Sequence, residues 1–246
     1  MNQVHKESQE TYDFIADWID PNFFFSKKDV WHRFGMLGVF GDFVLSCTPG
    51  NIAEIGVGES SIYLSHLARK YFRMFFSCDI SPSKIVNPLT VDGYLVTTGV
   101  NRDLSHNNPS YAQGMTRLFV GPSDAMWDHF PIERNSLALT FIDGDHLYDQ
   151  VAEDFRVAVS RTVDNGYILL HDTHPPSEEY LGESRCGTVY QLRQEIERMR
   201  DLFDCITLPK GCAIDVGLTI VRKKPSSAPH YQQSLGEEPV GRLIDG

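Results

Sequence analysis

A glycine turn follows an acid in residues 51–61, whose sequence is NIAEIGVGESS. Glycine at Gly56 and Gly58 lets backbone N–H groups approach a ligand closely, and the carboxylate of Glu54 can accept from hydroxyls or from an ammonium group. A strand followed by Gly-x-Gly also occurs as a tight connection that binds nothing. The segment therefore predicts a ligand-binding loop, with a plain turn as the alternative.

Four acidic residues each close an apolar segment that has the composition of a strand: Glu54, Asp79, Asp143 and Asp172. Ligands of doubly wound sheets bind beyond the carboxyl ends of the strands, so we expect these carboxylates to share one crevice. Asp79 lies 23 residues after Gly56, close to the spacing at which an acid binds the ribose hydroxyls of a nucleotide. A helix cap is the structural alternative for Asp79.

Histidines accompany the acids at the last two of these strand ends, in the segments DGDH (143–146) and HDTH (171–174). Oxygen ligands from two adjacent strand ends can hold a divalent cation, and an imidazole at His171 would favour Mn²⁺ or another softer ion over Mg²⁺. The imidazole of His146 can accept a proton from an alcohol near neutral pH. These segments predict metal or acid–base chemistry, unless His146 only caps the next helix or bonds Asp172.

Strands and helices alternate along the chain from residue 51 onward. Unbroken apolar runs such as LALTFI and GYILL are typical of parallel strands that are buried on both faces. The predicted strands are 52–55, 74–79, 117–120, 137–143 and 167–172, and the predicted helices are 60–71, 123–130, 148–162 and 188–203. A hairpin of 205–208 with 213–222 follows, so the pattern predicts a doubly wound, mostly parallel sheet with a closing antiparallel hairpin.

Three other segments extend this predicted domain, which we place at 49–224. Apolar spacing predicts helices at 12–19 and 28–43 in an N-terminal helical extension, 1–48, whose aromatic residues favour burial in a core or in a homo-oligomer interface. The segment 81–115 is long enough for a lid over a substrate, with a surface excursion as the alternative. Residues 225–246 lack periodicity and are interpreted as a tail.

The composition limits the classes of partner and of cofactor that the protein is expected to have. The chain has 246 residues, 41% of them hydrophobic, and a net charge of −11, which disfavours a nucleic acid partner. Apolar runs long enough to cross a membrane and a signal peptide pattern are both missing from the sequence, so we expect a cytoplasmic protein without a membrane partner. Five cysteines without CxxC spacing indicate reduced thiols, not a disulfide framework or a zinc site.

The segments AEIGVGESS, SCDIS, FIDGDHLYD and GYILLHDTH resemble successive motifs of class I S-adenosylmethionine-dependent methyltransferases, over roughly residues 50–222. The chain is most similar to small-molecule O-methyltransferases that include sugar and macrolide methyltransferases, and to the related cephalosporin hydroxylase-like proteins. The resemblance implies an α/β fold with a doubly wound, Rossmann-like, mostly parallel seven-stranded sheet. It also implies a small hydroxylated molecule as the methyl acceptor.

The resemblance also implies roles for individual residues. The methionine portion of the cofactor would be held by Glu54, Gly56, Gly58 and Ser60, where Ser60 stands in place of a third glycine. Asp79 would hold the ribose, and Asp143 would border the cofactor. The adenine would lie against Ser123 and Asp124. In metal-dependent relatives Asp143 and Asp172 match metal ligands, and His171 stands where those proteins often have an acid. His146, three residues after Asp143, matches the general base of some metal-dependent sugar methyltransferases.

Together these observations predict an S-adenosylmethionine-dependent O-methyltransferase, with a divalent metal, Mg²⁺ or Mn²⁺, as a further expected cofactor. A nicotinamide-dinucleotide oxidoreductase with a Rossmann fold is one alternative, but Glu54 and Glu59 place carboxylates around the loop that would have to hold a diphosphate. A non-catalytic protein that binds S-adenosylmethionine is the other alternative. The acidic loop favours a ligand that carries a sulfonium and an ammonium group.

Overall fold

The computed structural model describes residues 35–58, 60–81, 89–91, 94–96, 116–182, 184–209 and 216–225. The predicted helix at 12–19, most of the predicted lid at 81–115, and residues 226–246 of the predicted tail lie outside the described residues. Among the described residues, no helix has the length and apolar content that a membrane span needs.

Seven strands form one sheet in the order β5-β2-β1-β6-β7-β9-β8. The strands are β1 (Asn51–Ile55), β2 (Phe75–Asp79), β5 (Thr116–Val120), β6 (Leu137–Ile142), β7 (Thr162–His171), β8 (Phe203–Leu208) and β9 (Leu218–Lys223). The pairs from β5 through β7 are parallel, and β9 runs antiparallel to both β7 and β8. Two short strands, β3 (Leu89–Val91) and β4 (Tyr94–Val96), make a separate antiparallel pair.

Helices cover both faces of this sheet. They are α1 (Gly35–Cys47), α2 (Ser60–Tyr71), α3 (Ser123–His129), α4 (Tyr148–Arg161) and α5 (Val189–Ile196), with a 3-10 helix at Glu178–Leu181. Side chains of α1 and α2 pack with one face of the strands, and side chains of α3, α4 and α5 pack with the other. The predicted doubly wound, Rossmann-like sheet with a C-terminal antiparallel hairpin is confirmed.

The central strand β6 shows why apolar composition decided this architecture. All six of its residues are buried. Phe141 packs into the core on the side of α1 and α2, and the next residue, Ile142, packs into the core on the side of α3 and α4. A strand that is covered on both faces does not alternate between apolar and polar residues, and the run LALTFI is apolar except for Thr140, which is itself buried.

Most element boundaries lie within two residues of the predicted ones, and helix α5 and strands β7 and β9 differ by more. Helix α5 ends at Ile196 and not at residue 203, because the chain turns through i to i−3 hydrogen bonds such as Met199 N–H to the Ile196 carbonyl. Strand β7 begins at Thr162, five residues before the predicted start, although Asn165 has a φ of +63°. The predicted helix at 28–43 is described from Gly35 onward and continues to Cys47.

Candidate active site

Gly56 joins the end of β1 to the end of β6. Its φ is +94°, and a Cβ added there would lie 2.1 Å from the backbone oxygen of Asp143. The Gly56 N–H donates to the Cys78 carbonyl at 2.9 Å, so the turn is also tied to β2. Only glycine combines this backbone conformation with this close approach. The predicted loop is therefore a contact point between three strand ends.

Gly58 occupies a more open position in the same loop. Its N–H donates to the hydroxyl of Ser61 at 3.0 Å. Among the described residues, a Cβ added at Gly58 would meet only the hydroxyl oxygen of Ser60, at 3.8 Å. As far as these residues go, the loop at Gly58 leaves room for a ligand to approach the backbone.

Glu54 lies in a closed cage of hydroxyl groups behind the loop. Its side chain is fully buried. Ser60 donates to Oε1, and Ser61 and Ser77 donate to Oε2, each at 2.6 Å. The structure brings Glu54 to the loop, as expected, but its carboxylate contacts the first turn of α2 through the serines. Any influence of Glu54 on a ligand in this arrangement passes through Ser60 and Ser61.

Burial raises the pKa of Glu54 from 4.5 to about 7, because the loss of solvation outweighs the hydrogen bonds from Ser60, Ser61 and Ser77, and the charge of Asp143 adds to the rise. The folded protein then keeps a proton that the unfolded chain releases between these two pKa values. The stabilisation is present below pH 4.5 and is lost as the pH rises to about 7.

Replacing Glu54 with Gln should therefore remove one component of the pH dependence of stability. We expect the free energy of unfolding of Glu54→Gln, relative to the unsubstituted protein, to rise by roughly 3 kcal/mol between pH 4.5 and pH 8. Urea unfolding at intervals of half a pH unit measures this difference. A difference that stays constant across the range would show that Glu54 does not take up a proton on folding.

Asp79 lies at the end of β2 beside the glycine loop, as predicted. Its Oδ2 accepts from the Val57 N–H at 3.1 Å, and its Oδ1 accepts from the Ser81 N–H at 2.8 Å. The backbone oxygen of Asp79 accepts from the Gly121 N–H at 3.0 Å, which brings the turn after β5 to the same edge. This single acid thus links the loops that follow three strands.

The two residues predicted to border an adenine differ in their surroundings. Ser123 is buried, and its hydroxyl donates to Asp154 on α4. Burial raises the pKa of Asp154 to about 6, against the hydrogen bonds from Ser123 and Gln150. Asp124 is exposed, and its Oδ1 accepts from the Ala125 N–H at 2.6 Å. The hydroxyl of Ser123 therefore serves the contact between α3 and α4, and Asp124 keeps its carboxylate at the surface.

Two histidine–aspartate pairs meet where β6 and β7 end. His171 Nδ1 lies 2.9 Å from Asp143 Oδ1 and 3.4 Å from Asp172 Oδ1. His146 Nε2 lies 3.0 Å from Asp172 Oδ2. The structure therefore brings together the four residues that the sequence marked for chemistry, and the alternative in which His146 bonds Asp172 is also realised.

The charges of the histidines and the aspartates in this group shift each other's pKa values. Burial alone would lower the pKa of His171, but the charges of Asp143 and Asp172 and the hydrogen bonds to them raise it to about 10. Burial alone would raise the pKa of Asp172, but the hydrogen bonds and charges of His146 and His171 hold it well below its usual range. His171 is thus an imidazolium between two carboxylates, which compensates the accumulation of acids that the sequence indicated.

Asp172 is held in a strained backbone conformation. Its φ is +58°, in the left-handed region that non-glycine residues enter at a cost of about 1 to 2 kcal/mol. The Sγ of Cys186 lies 3.7 Å from Asp172 Oδ1 as a weak donor, in addition to the two imidazoles. Contacts from three side chains therefore hold the strained residue in place. Strained backbone conformations of this kind are common at active sites.

Metal-ligating atoms also converge at this point. Single ligand atoms of Asp143, His146 and Asp172 all lie within 4.8 Å of one another. The predicted ligand His171 directs Nδ1 at Asp143. Within the described part of the chain, a cation at this position would have two carboxylates and the imidazole of His146 as its nearest donors.

Sequence reasoning missed the segment Cys186–Thr188, which contacts this cluster. The Thr188 N–H donates to the His146 carbonyl at 2.8 Å, and Gly187 packs against the same oxygen. No spacing rule connects these residues to His146, because they come 40 to 42 positions later and reach it only through the tertiary fold. A glycine just before a predicted helix was the single available signal.

A family model described as a methyltransferase domain matches residues 53–173. The match begins in β1, ends just after β7, and includes the glycine loop and both histidine–aspartate pairs. No match to the chain was found among curated protein sequences.

Solved structures share the fold at low sequence identity. A methyltransferase from Podospora anserina, solved with bound SAH, has 16% identity and a TM-score of 0.53, with 92% of this chain and 97% of that chain covered. An O-methyltransferase from Streptomyces achromogenes involved in tomaymycin synthesis, solved with SAM, has 14% identity and a TM-score of 0.53, with 92% and 100% covered. An O-methyltransferase from Bacillus cereus, in complex with SAH, has 15% identity and a TM-score of 0.52, with 88% and 90% covered.

At these identities the structures establish the shared fold, and the family model supplies the link to methyl transfer. A methyltransferase domain favours S-adenosylmethionine over a nicotinamide dinucleotide as the ligand. The chain carries a methyltransferase domain at residues 53–173 and has the fold of class I, S-adenosylmethionine-dependent methyltransferases.

Proposed function

We propose that this methyltransferase transfers the methyl group to a hydroxyl of a small molecule, with His146 as the general base. The observation that carries the proposal is the 3.0 Å contact between His146 Nε2 and Asp172 Oδ2. This pair lies at the same sheet edge as the glycine loop, because Gly56 packs on the backbone of Asp143. A base and a cofactor loop on one edge are the minimum that O-methylation requires.

S-adenosylmethionine would bind at the glycine loop and at the acids around it. Gly56, Gly58 and Ser60 would border the methionine portion, Asp79 the ribose, and Ser123 and Asp124 the adenine, with Asp143 near the methyl group. The residues fit the ligand, since the described residues leave space beside Gly58 and the carboxylate of Asp79 borders the loop at Val57. S-adenosylmethionine, when bound, supplies a methyl group on a positively charged sulfur. Glu54 would act through Ser60 and Ser61.

Deprotonation of the acceptor hydroxyl would depend on the orientation of the His146 ring. Its Nε2 faces Asp172, so Nδ1 is the nitrogen that can take the proton of the acceptor hydroxyl. Asp172 would orient the ring and stabilise the imidazolium that forms. As the oxygen attacks the methyl carbon in line, the carbon–sulfur bond breaks and the proton moves to Nδ1. The enzyme thus contributes position and a base, with no covalent intermediate.

The donor set also fits a divalent cation. Asp143 and Asp172 would hold it together with His146, whose imidazole would then be a ligand and not the base. His171, the ligand predicted from the sequence, would have to lose its proton before it could bind the cation. A Mg²⁺ or Mn²⁺ ion there would make a bound acceptor hydroxyl more acidic. A mixed oxygen and nitrogen donor set favours Mn²⁺ over Mg²⁺.

Two measurements test the proposed function. Calorimetry is expected to show binding of both S-adenosylmethionine and S-adenosylhomocysteine. A panel of phenols, sugars and aliphatic alcohols, incubated with methyl-labelled donor, is expected to include an acceptor that becomes labelled on oxygen. Binding of both ligands without labelling of any acceptor would favour the non-catalytic alternative, and labelling on nitrogen or carbon would contradict O-methylation.

The same assay decides the role of a metal. If a cation activates the acceptor, turnover should fall at least tenfold in chelator and return when Mn²⁺ is added. Full turnover in chelator would remove the metal from the proposal and leave His146 as a base that acts without a metal. Restoration by Mg²⁺ alone would argue for an oxygen-only ligand set.

A further inference from the structure

The segment Cys186–Thr188 lies between β7 and α5 and contacts both members of the His146–Asp172 pair. Cys186 is buried, with Sγ at 3.7 Å from Asp172 Oδ1. Gly187 has a φ of +51°, and a Cβ added there would lie 2.0 Å from the His146 carbonyl oxygen. One short stretch of chain therefore contacts two residues that come from different strand ends.

Thr188 makes two hydrogen bonds to the residues around His146. Its backbone N–H donates to the His146 carbonyl at 2.8 Å. Its hydroxyl oxygen accepts from the Tyr148 N–H at 2.7 Å. These bonds fix the backbone on both sides of Leu147, directly after His146.

The hydroxyl of Thr188 also replaces a missing helix cap. Helix α4 begins with Leu147 as its N-cap, a residue whose side chain cannot accept from the free N–H groups of the first turn. Thr188 supplies that acceptor from outside the helix. The start of α4, and with it the position of His146, therefore depends on a residue that is 40 positions away in the sequence.

We propose that Thr188 is a positioning residue for methyl transfer, which holds the backbone of His146 so that the imidazole stays on Asp172. The inference rests on the proposed function of His146. Thr188 acts through His146 and is not assigned any contact with substrate. A shift of about 1 Å in a reacting group can lower a rate by two orders of magnitude, so loss of this anchor is expected to affect turnover more than stability.

The test compares three variants of the full chain. Thr188→Val removes the hydroxyl with little change in shape, and Thr188→Ser keeps it. Thr162→Val is the control, because the Thr162 hydroxyl also makes a hydrogen bond to α4, donating to the Ala158 carbonyl at 2.7 Å at the opposite end of the helix. Thr162 is fully buried and Thr188 is half-buried, so the control is the more demanding of the two for stability. Thr188→Val should lower kcat roughly ten- to a hundred-fold with the KM for S-adenosylmethionine unchanged. Thr188→Ser and Thr162→Val should keep kcat within about twofold of the unsubstituted protein.

A second readout does not depend on knowing the acceptor. Long-range ¹H–¹⁵N spectra at one fixed pH report the imidazole of His146, whose signals are assigned by their loss in His146→Ala. These signals should move in Thr188→Val and stay in place in Thr162→Val. Unchanged signals or unchanged kcat in Thr188→Val would overturn the proposal, as would equal losses of kcat in both valine variants. If the unsubstituted protein methylates nothing, the proposed function fails, and the spectra alone decide the role of Thr188.

Discussion

Replacing His146 with Ala is expected to lower turnover by roughly 10²- to 10⁴-fold, the usual contribution of a general base. The acceptor oxygen would then have to lose its proton to water during the attack. Affinity for S-adenosylmethionine should stay within about twofold, because the glycine loop and Asp79 do not contact the imidazole in the proposed arrangement. Single-turnover kinetics and calorimetry on the same preparation measure the two quantities separately.

His129→Ala is the control for this substitution. His129 is an exposed residue at the end of α3, where its ring lies 5.1 Å from that of Phe119, and it is outside the proposed site. It should leave both turnover and affinity unchanged. Normal turnover in His146→Ala would show that another group takes the proton, and a parallel loss of cofactor affinity would show that His146 acts on the whole site.

Gly56→Ala is expected to have the second large effect, on stability and on cofactor affinity together. The alanine methyl would have to occupy space 2.1 Å from the Asp143 carbonyl oxygen at a φ of +94°. Relief requires that the ends of β1 and β6 separate, which should lower the free energy of unfolding by roughly 3 kcal/mol or more. Urea unfolding gives the first quantity, and titration with S-adenosylhomocysteine gives the second.

Gly182→Ala provides a matched comparison, since a Cβ at Gly182 would meet none of the described residues within 4 Å. Its free energy of unfolding should lie within about 0.5 kcal/mol of the starting value. If Gly56→Ala were equally harmless, the close contact between the glycine loop and Asp143 would be wrong. The glycine loop and the histidine–aspartate pairs would then no longer be joined by a direct backbone contact.

The sheet could be predicted because its signals are local. Runs such as LALTFI report burial on both faces, and the acids Asp79 and Asp143 stand directly at strand ends, where the topology brings them together. Helix α5 was predicted too long because its apolar spacing continues past Ile196 into turns that the pattern does not distinguish from a helix.

The partners of individual side chains could not be predicted in the same way. The cage around Glu54 needs Ser77, which reaches it through the register of β1 with β2, and that register is a property of the assembled sheet. His171 donates to Asp143 across two strands, and Thr188 reaches Tyr148 from another segment. Residue types and spacing therefore identified which groups could do chemistry, but only the tertiary structure shows which group each one contacts.

The imidazoles of His146 and His171 differ in their exposure to solvent, and this difference affects how each could exchange a proton during the proposed reaction. His171 is buried at 9% side-chain exposure and His146 is open at 29%. The carboxylates of Asp143 and Asp172 raise the pKa of His171 and favour its charged form, whereas the partial exposure of His146 gives the proton it gains a route to bulk water. In the proposed reaction the positive charge leaves the sulfur and reappears on His146. Deprotonation of His146 by solvent would then reset the enzyme for the next cationic donor, after the bond-making step is over.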